Sequence, residues 1–317
     1  MRFLVAGAGS WGTAFAHVLL EGGHDVVLGC HTREQAQAIA ETGRNPRYLS
    51  SVDLRRVAPV HLDEAPGDVD VAVVAVPSTA FADVVDRLAG DGPVLSLTKG
   101  LDPATGERLS TRVRGRPVAV LSGPNIAEEI ANGLPTAAVI ASDDGYLAGE
   151  LQHAINSSVF RTYVNPDVVG VELCAAAKNV IALAAGGVDG IDLGDNAKAS
   201  LITRGLAEMA RLGEAAGARP ETFAGLAGMG DLIVTCWSPR GRNRRAGELI
   251  AQGRSAAEAA AEIGQTVEGL TTAPALRELS ARLGVELPIT EGVCQVLSGE
   301  SLTGLVSALM EREPTEE

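Results

Sequence analysis

Six residues near the start of the chain, Gly7-Ala8-Gly9-Ser10-Trp11-Gly12, restrict its fold more than any other feature. They follow a short apolar run, Phe3-Leu4-Val5-Ala6, and precede Thr13 to Leu20, which reads as a helix closed by Gly22-Gly23. A second apolar run, His24 to Gly29, comes next. This is the strand, glycine turn, helix, strand order that gives a GxGxxG match its meaning. Gly7, Gly9 and Gly12 permit a tight turn and close backbone approach to a pyrophosphate, and the helix N-terminus then faces the anion. A turn that serves only close packing is the competing explanation; the surrounding elements favour a dinucleotide.

The end of the second strand bears on which dinucleotide. An acidic residue there, about twenty residues beyond the glycines, takes the ribose 2'-hydroxyl of NAD. Here the segment is Cys30-His31-Thr32-Arg33-Glu34. His31 and Arg33 are placed to meet a 2'-phosphate, so NADP is the expected cofactor. Glu34 keeps NAD as the alternative, and Arg33 can also be read as a solvated residue at a helix start.

Further apolar runs extend this into a parallel sheet. Val69 to Val76 ends in Pro77-Ser78, Val94 to Thr98 in Lys99-Gly100, and Val118 to Leu121 in Ser122-Gly123-Pro124-Asn125. Ala137 to Ala141 and Val159 to Val164 are candidates to lengthen the sheet. Near-continuous apolar runs are what a sheet covered on both faces requires. Thr79 to Leu88 and Ile126 to Asn132 read as helices between them. Ligands bind beyond the carboxyl ends of such strands, which gathers Ser78, Lys99 and Gly123 to Asn125 around one crevice.

Asn165-Pro166 marks a boundary, with Asn165 suited to cap a helix and Pro166 to begin it. The helix is expected to end near Ala185, before Gly186-Gly187. The division is residues 1–165, a dinucleotide-binding domain, and 166–317, a helical domain that binds substrate and catalyses. Within this helix, Lys178 shares its face with Val171, Cys174, Ile181 and Ala185. An ammonium on such a stripe must snorkel to the surface, find a partner, or titrate near neutrality. The last outcome makes a lysine that moves protons.

Gly194-Asp195-Asn196 opens another helix, through about Ala216, with Leu201, Ile202, Leu206, Met209 and Leu212 on its apolar side. Lys198 and Arg204 there read as solvated or structural. Gly225 to Leu232 is too glycine-rich to be only a helix, and Asp231 emerges where backbone can approach a ligand. Arg240-Gly241-Arg242-Asn243-Arg244-Arg245 carries four arginines in six residues, an anion site in an acidic chain. One or two of the four are expected to touch a ligand. Ala256 to Ile263, Thr271 to Leu283 and Thr290 to Leu297 read as packed helices, and the tail from Glu311 to Glu317 as frayed.

The formal net charge of -14 argues against nucleic acid or an anionic membrane as the main partner, while leaving room for a small anionic substrate. Cys30, Cys174, Cys236 and Cys294 are scattered without a CxxC pair, so no metal site is expected and a reducing cytoplasm is. The N-terminus resembles a secretory signal only until its apolar run meets the glycine turn. No segment reads as long or apolar enough to span a membrane.

Taken together, GAGSWGTAFA at Gly7, TKGL at Thr98, SGPNIAEE at Ser122 and the segment from Ala177 to Met209 carry a resemblance. GLAGMGDLIVTC at Gly225, GRNRRAG at Gly241 and TVEG at Thr266 complete it. The chain resembles bacterial NAD(P)-dependent glycerol-3-phosphate dehydrogenase over nearly its whole length. The resemblance implies an α/β fold, a Rossmann-type domain followed by an all-helical one. It implies reversible reduction of dihydroxyacetone phosphate to sn-glycerol 3-phosphate for glycerophospholipid synthesis.

The resemblance makes Lys178 the proton-transferring residue, with Lys99, Gly123, Asn125, Asp231, Gly241, Arg242 and Asn243 around the substrate. Ser10, Trp11, His31, Arg33, Lys99, Ala127, Arg242, Thr266 and Glu268 match cofactor contacts. Departures stand out, one of them His31-Thr32-Arg33 where the family often reads Trp-x-Arg. The family commonly has Ser or Thr at Asn125, Phe at Ile126, and Ser at Gly241. At Gly241 a hydroxyl is lost, leaving the backbone N–H to meet phosphate. A related dehydrogenase of another small phosphate or hydroxy acid, and a nucleotide sensor without catalysis, are the competing functions. A homodimer through the helical half is a further expectation.

Overall fold

The computed structural model describes residues 1–302 of the chain. The expected fraying of Glu311 to Glu317 lies outside the described residues. The amino-terminal half is built on one eight-stranded sheet. Its strands are β1 (Arg2–Ala6), β2 (Asp25–Cys30), β3 (Ala58–His61), β4 (Val71–Val74), β5 (Val94–Ser96), β6 (Val118–Ser122), β7 (Thr136–Ala141) and β8 (Phe160–Asn165). Their order is β3-β2-β1-β4-β5-β6-β7-β8. Neighbours are parallel except β6 and β7, so the last two strands run against the first six. Helices α1 (Ser10–Glu21), α2 (Arg33–Thr42), α3 (Ser78–Arg87), α4 (Ala127–Ala131) and α5 (Gly145–Ile155) connect them. The chain turns from one side of β1 to the other between β3 and β4, which opens a crevice at the carboxyl ends of β1 and β4.

The apolar runs form strands within a residue or two of where the sequence places them. Ala58–His61 did not announce itself: it is four residues long and contains Pro59. Proline is tolerated there because β3 is an edge strand, bonded only to β2. At the other edge β8 alternates buried Phe160 and Thr162 with exposed Arg161 and Tyr163.

The second half is helical: α6 (Val168–Gly190), α7 (Gly194–Ala215), α8 (Pro220–Ala224), α9 (Asp231–Trp237), α10 (Arg242–Ala251), α11 (Ala256–Ile263), α12 (Glu268–Leu283) and α13 (Pro288–Leu297). Helix α6 is its centre, packed against α7, α9, α10, α12 and α13. Contrary to the sequence reading, its length and mean hydropathy of 1.7 would suffice to cross a membrane, but 89% of that stretch is buried within the protein. It is the core helix of this half. The four largest fully buried side chains, Phe3, Phe15, Phe81 and Phe160, all lie in the amino-terminal half. The helical core is mostly Leu, Val, Ile and Ala, with Phe223, Met209 and three cysteines among them, and its small residues let helices approach closely.

Three local expectations are corrected. The cap of α6 is Asp167, whose Oδ1 accepts from Gly170 N at 2.9 Å. Asn165 cannot take that role because it is still paired with Ala141 in the sheet. Gly186-Gly187 does not end α6. A Cβ on Gly186 would lie 1.8 Å from Arg244 O, and one on Gly247 1.9 Å from Leu183 O. These glycines let α6 and α10 touch backbone to backbone, and the helix continues to Gly190. Third, Leu226–Gly230 is helical after all, a π-type turn leading into α9. Gly228 is required there because a Cβ would lie 2.2 Å from Phe223 O.

Candidate active site

The glycine turn divides into two kinds of position. Gly7 has φ +117°, and a Cβ on it would lie 2.4 Å from Ala75 O; a Cβ on Gly12 would lie 1.8 Å from Gly7 O. Both are needed by the protein's own packing. Gly9 is different: a Cβ there would meet nothing within 4 Å. Gly9 is also the N-cap of α1, and no side chain bonds to the first N–H groups of that helix. Open space beside unsatisfied N–H groups, at the positive end of a helix dipole, fits a dinucleotide pyrophosphate. The turn is held from behind by two amides that sequence reasoning missed: Gln35 Nε2 and Asn45 Nδ2 each donate to Ala8 O at 2.9 Å. Trp11 lies edge-on to Phe15, ring centroids 5.6 Å apart, and its Nε1 is buried without a partner.

At the end of β2, His31 and Arg33 are exposed, as a contact with a ribose phosphate requires. Arg33 is already engaged: its Nη1 lies 2.5 Å from Glu64 Oε1.

Across the crevice, one carboxylate organises the reactive groups. Lys178 Nζ donates to Asp231 Oδ1 at 2.6 Å and to Thr235 Oγ1 at 2.9 Å. Lys99 Nζ donates to Asp231 Oδ2 at 2.6 Å and to Gly123 O at 3.0 Å. Ser122 Oγ adds a longer bond to Oδ2, 3.4 Å. Four elements meet here: the loop after β5, the end of β6, α6 and α9. Lys178 is 5% exposed and Asp231 1%, so the snorkelling reading is excluded.

Burial lowers the Lys178 pKa to about 7; the Asp231 charge opposes that shift and Lys99 adds to it. Burial would raise the Asp231 pKa, but Lys178 and Lys99 outweigh it and hold the carboxyl below its usual range. Asp231 is the buried counter-ion of two lysines. Thr235 was not anticipated, although its spacing four residues beyond Asp231 on one helix face was the available signal.

Around this cluster, Gly123 has φ +148° and a Cβ would lie 3.0 Å from Ala137 O, so the turn that receives Lys99 needs glycine. Asn125 Nδ2 donates to Ala137 O at 3.1 Å, and its Oδ1 is buried without a partner. Ala127 is the first residue of α4.

The arginine cluster resolves into separate roles. Arg240 pairs with Glu129 at 2.9 Å, Arg244 with Asp189 at 2.6 Å, and Arg245 with Glu248 at 3.3 Å. Arg242 is exposed, and no described residue forms a hydrogen bond or ion pair with it. Asn243 is buried and internally bonded. Its Nδ2 donates to Asn179 Oδ1 and its Oδ1 accepts from Gly269 N, both at 2.9 Å, so it braces α6, α10 and α12 together. The expectation that the Gly241 N–H is left for phosphate is overturned: it donates to Ser238 O at 3.0 Å, closing the turn before α10. A Cβ on Gly241 would lie 2.8 Å from Thr235 O, which accounts for glycine there.

Glu268, at the start of α12, reaches across to the sheet. Ser78 Oγ donates to its Oε2 at 2.6 Å and Ser78 N to its Oε1 at 3.3 Å. Burial raises its pKa against Ser78 and the Arg242 charge. Thr266, two residues earlier, is exposed. Lys198 lies outside this arrangement, bonded to Asp189 at 2.8 Å and 4.9 Å above the Trp237 ring.

Residues 3–148 match the family model for the NAD-dependent glycerol-3-phosphate dehydrogenase N-terminus, and residues 167–304 match that for its C-terminus. The chain is 46% identical to glycerol-3-phosphate dehydrogenase [NAD(P)+] of Halorhodospira halophila, covering 99% of this chain and 97% of that one. It is 44% identical to the Bacillus cereus protein of the same name, covering 98% and 96%. The crystal structure of glycerol-3-phosphate dehydrogenase from Coxiella burnetii superposes with a TM-score of 0.94 at 37% identity, covering 98% of this chain and 99% of that one. A glycine turn open at Gly9 and a lysine pair on one buried carboxylate thus sit on a chain matched along almost all of its length: it belongs to the NAD-dependent glycerol-3-phosphate dehydrogenase family.

Proposed function

We propose that this chain catalyses the reversible, NAD(P)H-dependent reduction of dihydroxyacetone phosphate to sn-glycerol 3-phosphate, supplying glycerophospholipid synthesis. The observation that carries the reading is the Asp231 carboxylate held between Lys178 and Lys99. Residues 1–165 bind the dinucleotide at Gly7, Gly9, Ser10, Trp11 and Gly12, with His31, Arg33, Lys99, Ala127, Arg242, Thr266 and Glu268 around it. Residues 166–317 supply the lysine and much of the substrate pocket. The nicotinamide supplies the hydride when bound.

Lys178 holds a proton that its pKa of about 7 makes available near neutrality. In reduction it gives that proton to the carbonyl oxygen; in oxidation the neutral amine takes it back. Asp231 aims the ammonium and keeps its charge supportable in a buried site. Lys99 adds positive potential where the oxygen becomes negative. Arg242, the arginine of its cluster without an ion pair, suits the substrate phosphate, with Gly123, Asn125, Gly241 and Asn243 shaping the pocket. Phosphate binding at a distance from the reacting carbon helps to align it.

NADP is the preferred dinucleotide in this reading, supported by the exposure of His31 and Arg33, and NAD is also used. Four buried, free cysteines fit a reducing cytoplasm. Leu193, Ile233 and Trp237, exposed on the helical half, support a homodimer, which light scattering tests.

The deciding experiment mixes the purified protein with dihydroxyacetone phosphate and follows NADPH and NADH oxidation separately. Oxidation that depends on this substrate is expected, faster with NADPH. Tight cofactor binding without oxidation would favour a sensor, and turnover only with another phosphate or hydroxy acid would favour a related dehydrogenase.

A further inference from the structure

Three arginines, Arg112, Arg114 and Arg116, lead into the amino end of β6. With Asp86, Leu88 and Gly90 they line an open pocket of about 430 Å³. It lies at the opposite end of β5 and β6 from Lys99 and Gly123, so it is not part of the catalytic crevice. Arg116 is fixed by its Nε, which donates to Gly92 O at 2.6 Å, while its Nη2 is buried without a hydrogen-bond partner. Arg112 reaches Asp102 at 3.4 Å. Arg114 is exposed, and no described residue forms a hydrogen bond or ion pair with it. The lining carries three guanidinium groups and one carboxylate, Asp86, with Asp102 paired to Arg112 and the Asp91 charge acting on Arg116, on a chain whose net charge is -14. A buried, unpaired guanidinium N–H lacks an acceptor that buried donors otherwise find.

We propose that Arg112, Arg114 and Arg116 form a second anion site, which takes the phosphoryl group of a small soluble metabolite. Guanidinium forks match phosphate oxygens in pairs. The pocket falls in the size range of small-molecule sites. The acidic surface disfavours an anionic membrane as the source of the phosphate.

Inorganic pyrophosphate titrated calorimetrically into the full chain tests the site. In Arg242→Ala, which removes the arginine assigned to the catalytic phosphate, and with NADPH saturating the glycine turn, one binding event should remain. Adding Arg114→Glu should weaken that event by about tenfold or more, as expected for a lost charge-assisted contact. Arg116→Lys in the same background should also weaken it, because an ammonium keeps the charge and loses the fork. Arg114→Glu alone should leave NADPH binding and thermal unfolding unchanged. An Arg242→Ala protein that binds no pyrophosphate, or binds it indifferently to Arg114→Glu, overturns the site. Sedimentation with phosphatidate vesicles without pyrophosphate binding also overturns it, since the phosphate would then be a membrane's.

Discussion

Lys178 and Lys99 hold opposite oxygens of one carboxylate, each ammonium 2.6 Å from Asp231. Two cations are brought together in a site that excludes water, and the charge between them is what makes this tolerable. The shared carboxylate divides their roles. Lys178 is nearly sealed, with 7% of its side chain exposed, whereas Lys99 retains 16% and touches the glycine turn after β6.

Removing the lysine amine separates chemistry from binding. Lys178→Ala should lower kcat by about a thousandfold, within the range general acid–base groups contribute. NADPH affinity should be unchanged, because the glycine turn is on the other half of the chain. Steady-state kinetics beside fluorescence titration of NADPH check this. Near-normal turnover would remove Lys178 from its role.

The pH dependence has a fixed sign. With Lys178 as the proposed proton donor, reduction needs the ammonium, so its rate should hold below about pH 7 and fall as pH rises through it. Oxidation uses the neutral amine and rises over the same window. Asp231→Asn removes the charge that favours the ammonium, so both inflections should move to lower pH. Stability follows the same group. Between about 7 and the usual 10.5 the unfolded chain keeps a proton that folded Lys178 has released, so this contribution to stability grows with pH there. Profiles of kcat in both directions decide the matter: inflections that stay in place in Asp231→Asn belong to another group.

Two glycines of the turn should respond in opposite ways. Gly12→Ala places a Cβ 1.8 Å from Gly7 O and should lower the thermal midpoint. Gly9→Ala places one in open space at φ -80° and should leave the midpoint alone while weakening NADPH binding. Calorimetric scanning and cofactor titration of the two variants suffice. Normal NADPH affinity in Gly9→Ala would mean the open space is not where the pyrophosphate lies.

Dinucleotide preference should depend on a residue outside the motif. Glu64 occupies Arg33 at 2.5 Å and competes with a 2'-phosphate for it. Relative kcat/KM for NADPH over NADH should rise roughly twofold in Glu64→Gln and fall about tenfold in Arg33→Ala, as expected for a charge-assisted contact. A ratio unmoved by either change would assign the preference elsewhere.

Glu172 ties the two halves together and can be tested by stability alone. Its carboxylate accepts from Ser110 N at 2.8 Å, Ser110 Oγ at 2.5 Å and Arg108 Nη1 at 2.9 Å. Glu172→Ala strands these donors and should cost about 3 kcal/mol of unfolding free energy. Glu172→Gln, which keeps an acceptor, should cost less. Urea denaturation of the two variants gives the comparison, and equal losses would mean that shape rather than hydrogen bonding matters.

Residues whose role is local are legible from the chain alone. The order of strand, glycine turn and helix predicts the crevice, because each step depends on near neighbours in sequence. The apolar stripe around Lys178 likewise marks it as unusual, while the choice between snorkelling and burial is left to the packing. Misreadings arise where a residue's neighbour is distant. Gly186 looks like a helix terminator until α10 lies across it. Asn165 looks like a cap until β7 claims it.

What the sequence by itself determined is the kind of fold and the candidate reactive groups: a dinucleotide turn, a stranded first half, a helical second half, and a lysine where no ammonium is at ease. Periodicity and composition encode these directly. The tertiary structure alone decided how that lysine is made usable. Asp231 lies 53 positions from Lys178 and 132 from Lys99. Only the packing of α6 and α9 against the ends of β5 and β6 brings one carboxylate between them and sets a pKa near neutrality. Desolvation and charge proximity depend on distance in space, and no pattern along the chain records that distance.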